Sequence, residues 1–273
     1  SEDILKFTET ISKLQTATDL SAEDAAMSLA QISNVTGEGM AGIENYANVV
    51  VALGNNVAAT EGKITAVALE LAKATSAFDL GSTEVAAYAA AYAQIGTQAD
   101  IAASSTARVI RELDNAANMG GQALQQVAQV AGTTEQEFYK LIKENPAEAM
   151  AAWMRGMNPI LNDTAKLNQY LKNLNLQGEE INKTIVPLIK NINILNDTRN
   201  IARTESGQLT AMDKEYQQFA STLDSLIVRM QNSMETLWKN IGVGLEPVIR
   251  PALESLAELI EWLADTFDQL PRP

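Results

Sequence analysis

The sequence predicts an all-α protein: an Ala-rich multi-helix domain, then a long heptad-bearing helix and an amphipathic C-terminal helix. Three observations lead there. Ala dominates a chain that is 46% hydrophobic but only 5% aromatic, and β-branched runs are scarce. Helix-start and helix-stop signals alternate roughly every 15 to 20 residues, with almost no strand signal between them. From Leu209 onward, apolar residues fall at alternating intervals of three and four.

Each element has its own local warrant. Ser21 with Asp24 forms a capping-box pattern at the head of "SAEDAAMSLAQI". "VTGEGMAG" (35–42) is a turn, after which Ile43, Tyr46, Val50 and Leu53 make one apolar helical face. "GNN" (54–56) is expected to close that helix, with Gly54 in a left-handed C-terminal cap that alanine would strain. Thr60 caps the next helix, whose face is Ile64, Val67, Leu71 and Phe78. Ser82 is the expected N-cap of a helix carrying Val85, Tyr88, Tyr92 and Ile95, ended by Gly96. Ile101, Ser105, Val109 and Leu113 line another, closed by "NMGG" (118–121). A short helix around "QALQQVAQV" follows, and Thr133 or Thr134 caps "EQEFYKLIKEN". Asn145-Pro146 restarts the chain with Pro at the first helical position, where its missing N–H costs nothing, and Asn158-Pro159 repeats the device. Pro187 marks a kink or a boundary.

The last third changes character. Leu209, Met212, Tyr216, Phe219, Leu223, Leu226, Met230, Ser233 and Leu237 form a seam with one polar member. "NIGVGLEPVIRP" (240–251) interrupts it, and "ALESLAELIEWLADTF" is an acidic amphipathic helix. The expected domains are residues 1–205, the Ala-rich helical core, and 206–273, a coiled-coil-like helical hairpin. The chain starts at Ser1 and ends in Leu-Pro-Arg-Pro, which is the look of a piece of a longer protein.

Composition removes several functions. Net charge is −14 with pI near 4.5, so no basic stripe exists to displace counterions from nucleic acid or to hold an anionic membrane. The chain has no Cys and no His, which excludes thiolate nucleophiles, His-based triads and Cys or His zinc sites. No run of about 18 apolar residues suggests a membrane span. Glu179-Glu180 and the Glu135/Glu137 pair are the close carboxylates, but neighbours at those spacings diverge around a helix and form a solvated face. "TGEGMAG" lacks the spacing and the lysine of a phosphate loop. No cofactor, metal or catalytic residue is expected.

The seam residues Leu209, Met212, Tyr216, Phe219, Leu223, Leu226, Met230 and Leu237 are the candidate interaction site. They fit packing within the chain and self-association of several copies equally well. The terminal helix has acids on its polar face where in-plane membrane helices carry Lys and Arg, so helix packing is the expected role of Trp262 and Phe267.

Four stretches, in this order, resemble the shared core region of phage tail tape-measure proteins. They are "LGNNVAATEGKITAVALELAKA", "STEVAAYAAAYAQIGTQADIAASSTARVIREL", "VAGTTEQEFYKLIKENPAEAMAAWMRGM" and "LWKNIGVGLEPVIRPALESLAELIEWL". The resemblance implies a structural, non-enzymatic virion protein, made in the bacterial host cytoplasm and carried in the tail lumen. Such proteins scaffold tail-tube assembly, set tail length and leave ahead of the DNA at ejection. It also implies parallel copies that self-associate, with tail tube, tail tip or chaperone proteins as partners; the net charge of −14 separately argues against direct nucleic-acid or membrane contact by this segment. Tailocins and contractile injection systems follow the same logic. The alternative is an envelope-interacting or pore-forming protein delivered from such a tail. A fused peptidoglycan hydrolase would need a placed catalytic Glu, which no spacing identifies.

Overall fold

The computed structural model describes residues 2–208 and 210–240, with 258 and 262. Every element among them is helical. In chain order they are α1 (Glu2–Ala17), α2 (Ala22–Thr36), α3 (Met40–Asn56), α4 (Glu61–Thr75), α5 (Ser82–Gln94), α6 (Ala99–Met119) and α7 (Gly121–Ala131). Then come α8 (Glu135–Glu144), α9 (Pro146–Met157), a 3-10 turn (Asn158–Asn162), α10 (Thr164–Asn173), α11 (Glu179–Lys190), α12 (Ile192–Glu205) and α13 (Thr210–Asn240). The chain forms two compact units, Ser1–Met212 and Asp213–Pro273. The "NIGVGLEPVIRP" interruption and the expected C-terminal helix lie outside the described residues, apart from helical Glu258 and Trp262.

The first unit is organised around α5. Ser82 and every residue from Val85 to Ala93 are buried. A helix apolar on all sides must be enclosed, and α3, α4 and α12 lie against it. Alanine makes this possible, because methyl side chains let helix axes approach closely. The two tyrosines supply the bulk, and their hydroxyls stay satisfied. Tyr88 donates to the Ala147 carbonyl (2.8 Å) and Tyr92 pairs with Thr106 Oγ1 (2.7 Å). A second centre is the buried Trp153 of α9, whose Nε1 donates to the Tyr170 hydroxyl (3.2 Å).

Several start signals are realised as spaced. Ser21 Oγ accepts from Asp24 N (3.1 Å), Thr60 Oγ1 from Lys63 N (3.3 Å), and Asn145 Oδ1 from Glu148 N (2.9 Å) behind Pro146. Thr134, not Thr133, caps α8, in a full capping box with Glu137. Other signals resolve differently. Ser82 is the first residue of α5, not its cap: its N–H and hydroxyl both donate to the Glu38 carboxylate (2.7 and 2.5 Å), which reaches over from the α2–α3 turn. Asn158-Pro159 opens a 3-10 turn instead of a full helix. Pro187 lies inside α11, and the chain breaks at Asn191, whose N–H and side-chain amide both donate to the Pro187 carbonyl (3.0 and 2.9 Å).

"GNN" is also corrected. α3 runs through Gly54, Asn55 and Asn56, and the cap is Val57 in extended conformation. Gly54 is an ordinary helical residue over which the Glu61 side chain folds. Alanine there would displace only the mobile end of Glu61, while helix propensity improves by about 1 kcal/mol. Gly54→Ala should therefore change stability by less than about 1 kcal/mol in a thermal melt. A fall in Tm beyond about 4 °C would contradict this reading.

Candidate functional site

Two polar constructions hold the C-terminal end of the first unit. The first is ionic. α12 brings Arg199 and Arg203 to one face, one helical turn apart. α5 supplies Glu84 and α9 supplies Glu148, each in the first turn of its helix, where a carboxylate also meets the positive end of the helix dipole. Arg199 is 3% exposed in its side chain. It grips Glu84 bidentately (Nε–Oε2 2.7 Å, Nη2–Oε1 3.0 Å) and reaches Glu148 Oε2 at 2.8 Å. Arg203, half exposed, joins the same two carboxylates (3.1 and 2.5 Å), and Arg155 closes on Glu148 at 2.6 Å. The Tyr88 ring lies 5.8 Å from the Arg199 guanidinium carbon, a cation–π distance.

Electrostatics follow from this geometry. Burial pushes the Glu148 carboxyl up, but hydrogen bonds from Arg155 and Arg203 and the charge of Arg199 outweigh it, leaving it at about 2. Burial works against the Arg199 charge, yet the Glu84 hydrogen bonds and neighbouring carboxylates hold it firmly protonated. Burial raises the Tyr88 phenol, with Arg199 pulling the other way. Glu148 thus stays ionised and Arg199 protonated near neutrality, and the ion pairs lock α5, α9 and α12 together.

The second construction is amidic. Asn48 of α3, fully buried, donates to the Glu205 carbonyl (3.1 Å) and accepts from Met212 N (3.0 Å). Asn45, one turn earlier, donates to Ser206 Oγ (3.0 Å) and accepts from Gly207 N (2.6 Å). These two side chains clasp the connection between α12 and α13.

α13 carries the seam. Met212 and Tyr216 are buried, Leu223 is half-buried, and Phe219 and Leu226 are 45% and 46% exposed. Met230 and Leu237 fall on the same helix, but their side chains, like Leu209 as a whole, lie outside the described residues. The paired carboxylates stay apart in function. Glu137 serves the Thr134 cap, which lowers its carboxyl, and Glu179 pairs with Lys183 (2.5 Å). A cleft of about 190 Å³ opens where α2 and α4 end, with Val35, Phe78 and Leu80 beside Thr75, Ser76 and Asp79 in its lining. Among the described residues no helix is long and apolar enough to cross a membrane, and no acidic group of three or more could hold a metal ion.

The ion cluster was not read from the sequence. Glu84 and Glu148 look there like first-turn helix acids. The usable signal was Arg199 and Arg203 at i and i+4 in a chain of net charge −14, since two cations on one face of a helix call for acids opposite.

The described elements define an all-α protein whose first unit is locked by an ion cluster. A family model for phage-related minor tail proteins matches residues 1–175, and the chain belongs to that family. No curated protein and no solved structure matches it. The match spans α1 to α10. Membership gives the chain a structural role in the phage tail, as a component of the virion, and with the helical fold it points away from enzymatic function.

Proposed function

We propose that the chain is part of a tail tape-measure protein that scaffolds tube assembly, sets tail length, occupies the tail lumen and is released at DNA ejection. The observation that carries this reading is α13, a 31-residue helix with an apolar heptad stripe, following a domain whose first 175 residues match the tail family. A ruler needs a helix whose length scales with residue count and whose copies lie in register, and a stripe of this kind serves both needs. The stripe Leu209, Met212, Tyr216, Phe219, Leu223, Leu226, Met230 and Leu237 is assigned to self-association of parallel copies. Tail tube and tail tip or chaperone proteins are the further partners. The acidic surface fits a protein that holds neither nucleic acid nor an anionic membrane.

The test is an in-frame deletion of 209–237 in the parent protein, with tail length read by electron microscopy. A helical ruler rises about 1.5 Å per residue, so tails should shorten by roughly 44 Å. Tails of unchanged length would remove this segment from the ruler. Absence of tails would make it an assembly element instead.

A further inference from the structure

α2 and α4 end at Thr36 and Thr75, and the cleft of about 190 Å³ opens between their last turns and the connection 76–81. A helix presents the negative end of its dipole at its C-terminus, so two such ends meet here and favour a cation. α2 carries no basic residue in its last turn, and the cation in the last turn of α4, Lys73, is paired with Glu70 (3.0 Å). The opposite pole nearby, the N-terminus of α5, is already answered by the Glu38 carboxylate on Ser82 (2.7 and 2.5 Å).

The lining is of two kinds. Val35, Leu80 and the half-buried Phe78 form an apolar wall. The polar lining offers lone pairs. Thr36 Oγ1 donates to Ile32 O (2.9 Å) and Thr75 Oγ1 donates to Leu71 O (2.7 Å), so toward a ligand both oxygens act only as acceptors. Thr36 Oγ1 also accepts from Glu38 N at 3.4 Å and keeps a second lone pair. Asp79 is exposed and makes no hydrogen bond or ion pair with any described residue. None of the described lining residues is a cation.

A ligand that satisfies both kinds of wall has an aliphatic stem and a cationic head. Volume sets its size: drug-sized ligands fill pockets of about 300–1,000 Å³, and this cleft suits a single side chain. Of the two basic side chains, lysine is the better match. Its ammonium carries three donors that diverge from one atom, and the acceptors stand on three walls, at the ends of α2 and α4 and in the connection after α4. The flat fork of arginine pairs best with both oxygens of one carboxylate, which would engage Asp79 alone.

We propose that this cleft is a socket for a lysine side chain of a partner protein. The stem lies on Val35, Phe78 and Leu80, and the ammonium reaches Asp79 beside the Phe78 ring. A chain of net charge −14 attracts basic surfaces and, away from an apolar seam, repels its own copies, so the partner is a different protein. The socket does not depend on the tape-measure reading.

The probe is Nα-acetyl-lysine N-methylamide, titrated into the full chain with its Leu and Val methyl groups isotope-labelled and followed by NMR. The methyls of Val35, Leu80 and Val85 should shift saturably, while those of Leu171 on α10 stay in place. The norleucine counterpart keeps the stem without the charge and should bind about fivefold more weakly, the upper end for a solvent-facing ion pair. Asp79→Asn should weaken the lysine probe by the same factor without moving the thermal melt, since Asp79 is exposed. Equal affinities for the two probes, an unaffected Asp79→Asn, or no saturable shift would overturn the socket. An arginine counterpart that binds more tightly than the lysine probe would overturn the choice of head group. Sedimentation tests the partner. Parent copies that associate while Asp79→Asn copies stay apart would make the occupant a second copy and overturn the assignment to a different protein. Sedimentation that Asp79→Asn leaves unchanged supports that assignment.

Discussion

Gly156→Ala is expected to destabilise the first unit by about 3 kcal/mol, the upper end for an added methyl group in a packed interior. Gly156 lies near the end of α9, where that helix crosses α7. A Cβ built on it would overlap the Val130 carbonyl oxygen, stand 2.6 Å from its carbon and 3.1 Å from Cγ1. The obstacle is backbone, so no rotamer change relieves it, and α7 and α9 must separate. Trp153, Met154 and Met157, all fully buried on α9, would lose packing with them. For a unit of this size the loss corresponds to a fall in Tm of about 6–12 °C. Gly54→Ala, in contact with only a side-chain end, is the matched control and should barely move the same melt. Equal effects of the two substitutions would show that the α7–α9 crossing is looser than its geometry.

The difference between these two glycines shows what the sequence carried and what it did not. Gly54 looks locally like a plausible cap, whereas Gly156 carries no local signal. Gly54-Asn-Asn has the composition of a C-cap, yet α3 continues to Asn56, because Val49 to Leu53 are buried on every side and packing extends the helix past its local stop signal. Gly156 lies in an unremarked "WMRGM", and its role exists only where α7 passes over it. Caps that bond within three residues, such as Thr60 to Lys63 and Thr134 to Glu137, were legible from spacing. Caps supplied across the fold, such as Glu38 on Ser82, 44 positions away, were not. The enclosure of α5 has the same origin. Its sequence shows one face, Val85, Tyr88, Tyr92 and Ile95, and only the helices gathered around it show that all its sides are interior. The Asn48 clasp spans 164 positions and left no pattern at all.

The second large effect is expected at Arg199. Its guanidinium is the hub of the ion cluster, 3% exposed, with Glu84 and Glu148 both against it. Arg199→Ala leaves two carboxylates facing a desolvated space and empties the position against the Tyr88 ring. Breaking one side of a buried ion pair costs about 3–5 kcal/mol, and the remaining Arg155 and Arg203 place the loss near 3 in a urea titration. Arg203→Ala removes a half-exposed partner of the same acids and should cost under about 1 kcal/mol. A pH series adds an independent check. Glu148 titrates at about 2 in the folded chain against an ordinary 4.5. Between those values the unfolded chain binds more protons than the folded one, so stability falls as pH falls. The contribution of Glu148 is complete above about pH 4.5 and drains away toward pH 2. Arg199→Ala removes one of the cations that depress this carboxyl, so its stability curve should be flatter through the same window. Parallel curves for the parent and the variant would mean that the acid sensitivity of the fold arises outside this cluster. A flatter curve for the variant would place it at the junction of α5, α9 and α12.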